Sequence, residues 1–264
     1  MTPAYSPAEL ALRELGITDP KQIDVEVIAW HLGAKVKYRP LKSCEARIVG
    51  RDDRAIISVD NTKTEERQRF SVGHELGHWH HHRGRCLICR SDDIGNARKG
   101  AADPERVADG YAANLLMPWY IFNPFVGSFR SLSLGVLREA KKTFCVSLTA
   151  AGLRVIKSNR FPALLVCHTR AGRRWFRQSG QVPERWFPRL ELQPESFAFD
   201  MIFGKAKEPP QPRRVSAGIW FDQPDAPRYQ ILEQPFALPD NEVATLLIVE
   251  DKEMLTSEPH GRRW

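Results

Sequence analysis

His74-Glu75-Leu76-Gly77-His78 is the stretch on which the reading of this 264-residue chain turns. It lies inside a helical pattern from about Lys63 to His81, free of proline and stopped by Gly84. Residues four apart on a helix stack one turn above another, so His74 and His78 present two imidazoles to one metal. Glu75, three residues before His78, sits at the edge of that face, where it can take a proton from an attacking water. Val72, Leu76 and Trp79 form the opposite stripe and would anchor the helix in a core. Random placement of the chain's His and Glu predicts only about 0.02 such motifs. The competing reading is a solvated, histidine-rich helix end, because His80, His81 and His82 follow directly.

Further along, Asp103-Pro104 opens a second helix, with Asp103 as N-cap and proline in the first turn, running to Met117 before Pro118. Catalytic zinc takes three protein ligands and leaves a fourth position open. Glu105, 27 residues after His78, is the candidate third ligand; its competing role is an acid favoured by the helix dipole. Asp109, one turn on, can accept a hydrogen bond from the far nitrogen of a ligand histidine. Glu105, Ala108 and Ala112 share a face, and the two alanines allow close approach to the histidine helix.

Together, Arg69-Phe70-Ser71-Val72-Gly73-His74-Glu75-Leu76-Gly77-His78-Trp79 and Glu105-Arg106-Val107-Ala108-Asp109-Gly110-Tyr111-Ala112-Ala113-Asn114-Leu115-Leu116-Met117-Pro118 resemble the ImmA/IrrE family of zinc metallopeptidases. The match runs from about Ile23 to Pro118, with Tyr111 where that family usually has Phe. The resemblance implies a thermolysin-like (gluzincin) core in which His74, His78 and Glu105 hold Zn2+, or another divalent ion such as Mn2+, and Glu75 is the general base. It also implies a protein substrate: a helix-turn-helix transcriptional repressor whose cleavage derepresses a DNA-damage and radiation-response regulon. Such a site also needs an oxyanion donor, for which Tyr111, Tyr120 and His80 are candidates.

The charge of +7 is concentrated. Phe129 to Arg160 holds seven basic residues against Glu139 alone, which is +6 of that total. Within this segment the spacing of Ala140, Phe144, Val146 and Ser147 fits two helices joined by a tight turn, as in a helix-turn-helix. Arg138, Lys141, Lys142, Arg154 and Lys157 then offer a basic docking surface, for DNA phosphates or for an acidic partner.

From Phe161 the pattern changes. Ala163–Cys167, Arg173–Arg177, Val215–Phe221, Tyr229–Leu232 and Val243–Val249 read as strands, and Glu195–Phe203 as a helix. This order is that of a GAF- or PAS-like sensor able to take a small ligand, or of a purely structural unit. The expected architecture is therefore α+β and multidomain: a peptidase domain (1–124), a helix-turn-helix-like segment (125–160) and a GAF-like sensor domain (161–264).

No apolar run reaches the roughly 18 residues of a membrane span, and the N-terminus lacks a secretory core, so a cytoplasmic protein without a membrane partner is expected. The odd set of cysteines, Cys44, Cys86, Cys89, Cys145 and Cys167, fits reduced thiols. Cys86-Leu87-Ile88-Cys89 is a C-x-x-C without a second pair, readable as loop thiols or as a zinc or redox pair. The rival to the protease reading is a DNA-binding transcriptional regulator with a structural or vestigial zinc site.

Overall fold

The computed structural model describes residues 5–81, 103–204 and 206–256. Cys86, Cys89 and His82 lie outside these residues. The chain divides into two compact units, Met1–Phe125 with Glu139–Ala150, and Val126–Arg138 with Ala151–Trp264.

In the first unit, α1 (Pro7–Glu14) starts at a reciprocal cap: Glu9 accepts from the Ser6 amide at 2.9 Å while the Ser6 hydroxyl accepts from Glu9 N–H. The other oxygen of the buried Glu9 accepts from the backbone of Trp119 at 2.7 Å, tying α1 to the start of α5 (Trp119–Gly127). Asp24 caps α2 (Val25–His31). Strands β1 (Ala34–Arg39), β2 (Ala46–Arg51) and β3 (Arg54–Asp60) form a sheet of order β1-β3-β2. β1 runs parallel to β3, and β2 antiparallel to it, in the register Val49↔Ile56. Ala46, Ile48, Ala55, Ile57 and Val59 are buried. α3 (Glu65–His81) packs on β2, β3 and α2, and most extensively on α4 (Pro104–Leu116).

The second unit is an antiparallel sheet of order β5-β4-β8-β7-β6. Its strands are β4 (Ala163–Thr169), β5 (Gly172–Gln178), β6 (Arg213–Ser216), β7 (Gln230–Ala237) and β8 (Val243–Ile248). α8 (Phe197–Phe203) packs on β7 and β8, and α9 (Lys252–Thr256) follows the last strand. Leu164, Val166, Trp186, Trp220, Phe221, Ile231 and Leu247 lie in one core cluster. Trp186 donates its indole N–H to the Met254 carbonyl at 2.8 Å, so a large ring is buried without stranding a polar group. α6 (Leu134–Phe144) and α7 (Leu148–Lys157) join at Cys145, whose φ is 49°, and Ser147 accepts from Ala150 N–H at 3.1 Å to start α7. Each of these two helices contributes residues to both units.

Two expected strands change extent for clear reasons. The run Val215–Phe221 stops being a strand at Ser216, whose hydroxyl accepts from Gly218 N–H and opens a 3-10 turn over Ala217–Ile219. Tyr229–Leu232 instead extends to Ala237, through Pro235. That proline is tolerated because β6 pairs only with Gln230 to Glu233, so β7 is an edge strand at Pro235. No helix among the described residues is long and apolar enough to cross a membrane.

Candidate metal centre

α3 supplies two imidazoles because a 17-residue helix with glycines at 73 and 77 can lie against another backbone. A Cβ on Gly73 would fall 3.1 Å from the Ala112 Cα, and one on Gly77 would fall 2.8 Å from the Ala108 Cα. α3 and α4 therefore meet backbone to backbone, glycines of one on alanines of the other. The sequence pattern points to the alanines; the glycines four apart that complete the seam emerge only from the packing.

The close approach brings the α4 carboxylates to the α3 histidines. His74 donates from Nδ1 to Asp109 at 2.9 Å, and its Nε2 lies 3.1 Å from Glu105 Oε2. His78 Nε2 lies 3.4 Å from Glu105 Oε1 and 3.0 Å from His74 Nε2. One ligand atom from each of His74, His78 and Glu105 fits within a span of 4.8 Å. His74, Glu75 and His78 are buried, so the polar face of α3 turns inward rather than to solvent.

Burial disfavours charge on His74, yet its hydrogen bonds to Asp109 and Glu105, with the charges of Asp109 and Glu75, outweigh that and raise its pKa to about 9. Burial likewise opposes ionisation of Glu105, but His74 and His78 hold its carboxyl below the usual range. The two Nε2 atoms, 3.0 Å apart, and the Glu105 carboxylate converge on one place, where a cation can take the position of the shared proton. The donor set, two imidazoles and one carboxylate with Asp109 orienting the first imidazole, suits zinc.

The oxyanion candidates separate. Tyr120 donates to the Ile17 carbonyl at 2.7 Å. Tyr111 is buried, its pKa is pushed up to about 12 by that burial, and its hydroxyl has no hydrogen-bond partner among the described residues. His80 stacks on its ring at 5.6 Å.

The five basic residues of the expected docking surface differ in their surroundings. Arg154 is only 3% exposed, Arg138 pairs with Glu208 at 2.6 Å, and Lys141 pairs with Glu66. Lys142 and Lys157 are exposed. The sequence count of charges could not anticipate this, because the neutralising acids lie 70 and 75 residues away in the chain.

Residues 29–155 match the profile of the peptidase M78 family, described as an IrrE N-terminal-like domain. No curated protein sequence matches the chain. Among solved structures, a Mycobacterium tuberculosis transcriptional regulator superposes with a TM-score of 0.59 at 15% identity, over 94% of this chain and 87% of that one. At that identity the likeness is one of fold.

Proposed function

Because the chain carries an IrrE N-terminal-like domain of the peptidase M78 family across residues 29–155, we propose that it is a zinc-dependent, site-specific endopeptidase. Its substrate on this reading is a helix-turn-helix transcriptional repressor, and its cleavage switches on a DNA-damage and radiation-response regulon. The observation that carries the proposal is the convergence of His74, His78 and Glu105 within 4.8 Å on two buried helices, with Glu75 beside them.

In the proposed mechanism His74, His78 and Glu105 hold the metal and Asp109 fixes the orientation of the His74 ring. Held there, a zinc would supply Lewis acidity for a scissile carbonyl and would lower the pKa of a water to about 7. Glu75 accepts the proton of that water and hands it to the departing amine. Its fully buried position keeps bulk water from competing for the proton. β2 is an edge of its sheet and packs on α3. An extended peptide paired along that edge would lie beside the metal helix, with backbone hydrogen bonds holding its register.

The gluzincin-type core (1–124), the helix-turn-helix-like pair (125–160) and the GAF-like sensor role of 161–264, with a small-molecule ligand, belong to the same proposal. A DNA-binding regulator whose zinc site is structural is the second reading, favoured by the likeness in fold to a transcriptional regulator. Incubation of the purified chain with zinc and the repressor, followed by mass spectrometry of fragments, separates the two. The protease reading expects defined fragments from wild type and none from Glu75→Gln. Equal cleavage by Glu75→Gln removes Glu75 as the base, and intact repressor with wild type favours the regulator.

A further inference from the structure

The outer face of the β1-β3-β2 sheet is a part of the first unit that this chemistry leaves unused. Side chains alternate across a strand. Ile48 is buried, and a Cβ on Gly50 would meet the Trp79 ring of α3, so Val49 and Arg51 face the other way. Register sets Val49 beside Ile56, and Ile56 beside Lys35. Val49 is 65% exposed and Ile56 43%, and Trp30 of α2, at the margin, is 77% exposed. A groove of about 640 Å3 joins these three side chains, and among the described residues its charged lining is Lys35, Arg51 and Arg54. The next row adds the exposed Lys37 and Arg47. Arg51 reaches Asp52 at 3.7 Å, but both side chains are almost wholly in water, so that pair neutralises little of the rim.

Single exposed apolar residues are ordinary, whereas an exposed tryptophan adjoining two β-branched residues inside a cationic rim has the composition of a binding surface. The rim calls for an acidic partner. The floor is aliphatic with one aromatic ring, which suits peptide side chains; a strand of stacked bases uses successive aromatic rings. We propose that this face docks an acidic segment of the protein substrate, in which apolar side chains alternate with Asp and Glu. The apolar side chains bury against Trp30, Val49 and Ile56, and the acids meet Lys35, Arg51 and Arg54. This docking rests on the protein-substrate reading, and it lies on the face of the sheet opposite to α3.

The test is fluorescence anisotropy on the full chain carrying Glu75→Gln, which prevents hydrolysis. The probes are a labelled peptide alternating Glu or Asp with Leu or Phe, its counterpart with Lys for each acid, and labelled oligothymidylate. The acidic peptide should bind, more weakly as salt is raised, and the lysine peptide should not. Trp30→Ala and Lys35→Glu/Arg54→Glu should each weaken that binding about tenfold or more, with the thermal melt of the parent kept. Stripping the metal with chelator should leave it unchanged; binding that persists where repressor cleavage fails supports the docking face and rejects only the peptidase reading. Unaltered affinity in both surface variants overturns the proposal. So does oligothymidylate that outbinds the acidic peptide and is lost in the same variants.

Discussion

Gly77→Ala puts one methyl group into the seam on which the metal centre depends. The new Cβ would stand 2.8 Å from the Ala108 Cα, 3.0 Å from the Ala108 carbonyl oxygen and 3.0 Å from the Tyr111 Cβ. Ordinary carbon contacts are about 3.5–4.0 Å, so the helices must part by roughly 0.5–1 Å. Two of the three atoms are backbone and the third is a Cβ, so no side-chain rotation relieves the clash. Alanine is the better helix former by about 1 kcal/mol, which works in favour of the variant. Overpacking of a tight seam costs about 1–3 kcal/mol, and contact with backbone puts this case at the upper end. The net result is a loss of about 1–2 kcal/mol. The same separation draws Glu105 and Asp109, which flank Ala108, away from the histidines, and zinc affinity should fall about tenfold or more. Gly110→Ala is the control: a Cβ there meets nothing within 4 Å, so only the propensity gain remains and the protein should gain up to about 1 kcal/mol. Urea denaturation and calorimetric zinc titration of the three proteins read both effects. A Gly77→Ala protein as stable as Gly110→Ala, with wild-type zinc affinity, would refute the seam argument.

Asp109→Asn removes the charge that faces His74 Nδ1 at 2.9 Å and should weaken zinc binding about 10- to 100-fold without unfolding the chain, as chelator competition will read. His168 is buried, and burial, with the charge of Arg173 adding, lowers its pKa to about 4 against the ordinary 6.5. The unfolded chain therefore protonates first: the stability from the neutral ring is complete above about pH 6.5 and is lost as pH falls toward 4, up to about 3 kcal/mol. Urea midpoints at pH 7 and pH 5 should show about 2 kcal/mol more loss in wild type than in His168→Gln, and equal slopes would contradict it. Glu9→Ala strands the Ser6 and Trp119 amides and should cost about 1–3 kcal/mol by urea denaturation, with no loss if water replaces the carboxylate freely.

Much of the first unit was legible because its signals are local. Ser6-Pro7 and Asp103-Pro104 start helices where proline and a capping oxygen dictate, and the turn Arg51 to Arg54 separates β2 from β3. His74 with His78, and Glu105 with Asp109, were legible as pairs because helix periodicity brings residues four apart to one face, whereas the meeting of the two pairs depends on the glycine–alanine seam between the helices. What escaped depends on distant partners. α5 follows Pro118, where the preceding helix was expected to end, and the Glu9 carboxylate holds its first amide from 110 residues away. The ion pairs of Arg138 with Glu208 and of Lys141 with Glu66 leave no trace in local sequence. The exposed sheet face was invisible for the same reason: only the register sets Val49 beside Ile56.

The central claim is that His74, His78 and Glu105 form one metal site, and that Glu75 stands beside it without being a ligand. Zinc content per chain, measured after gel filtration against a weak chelator, tests this most directly across four proteins. The account predicts one zinc in wild type, in Glu75→Gln and in Cys86→Ser/Cys89→Ser, with the metal lost in Glu105→Ala. Zinc retained at full occupancy in Glu105→Ala, or lost in the cysteine variant, would contradict it.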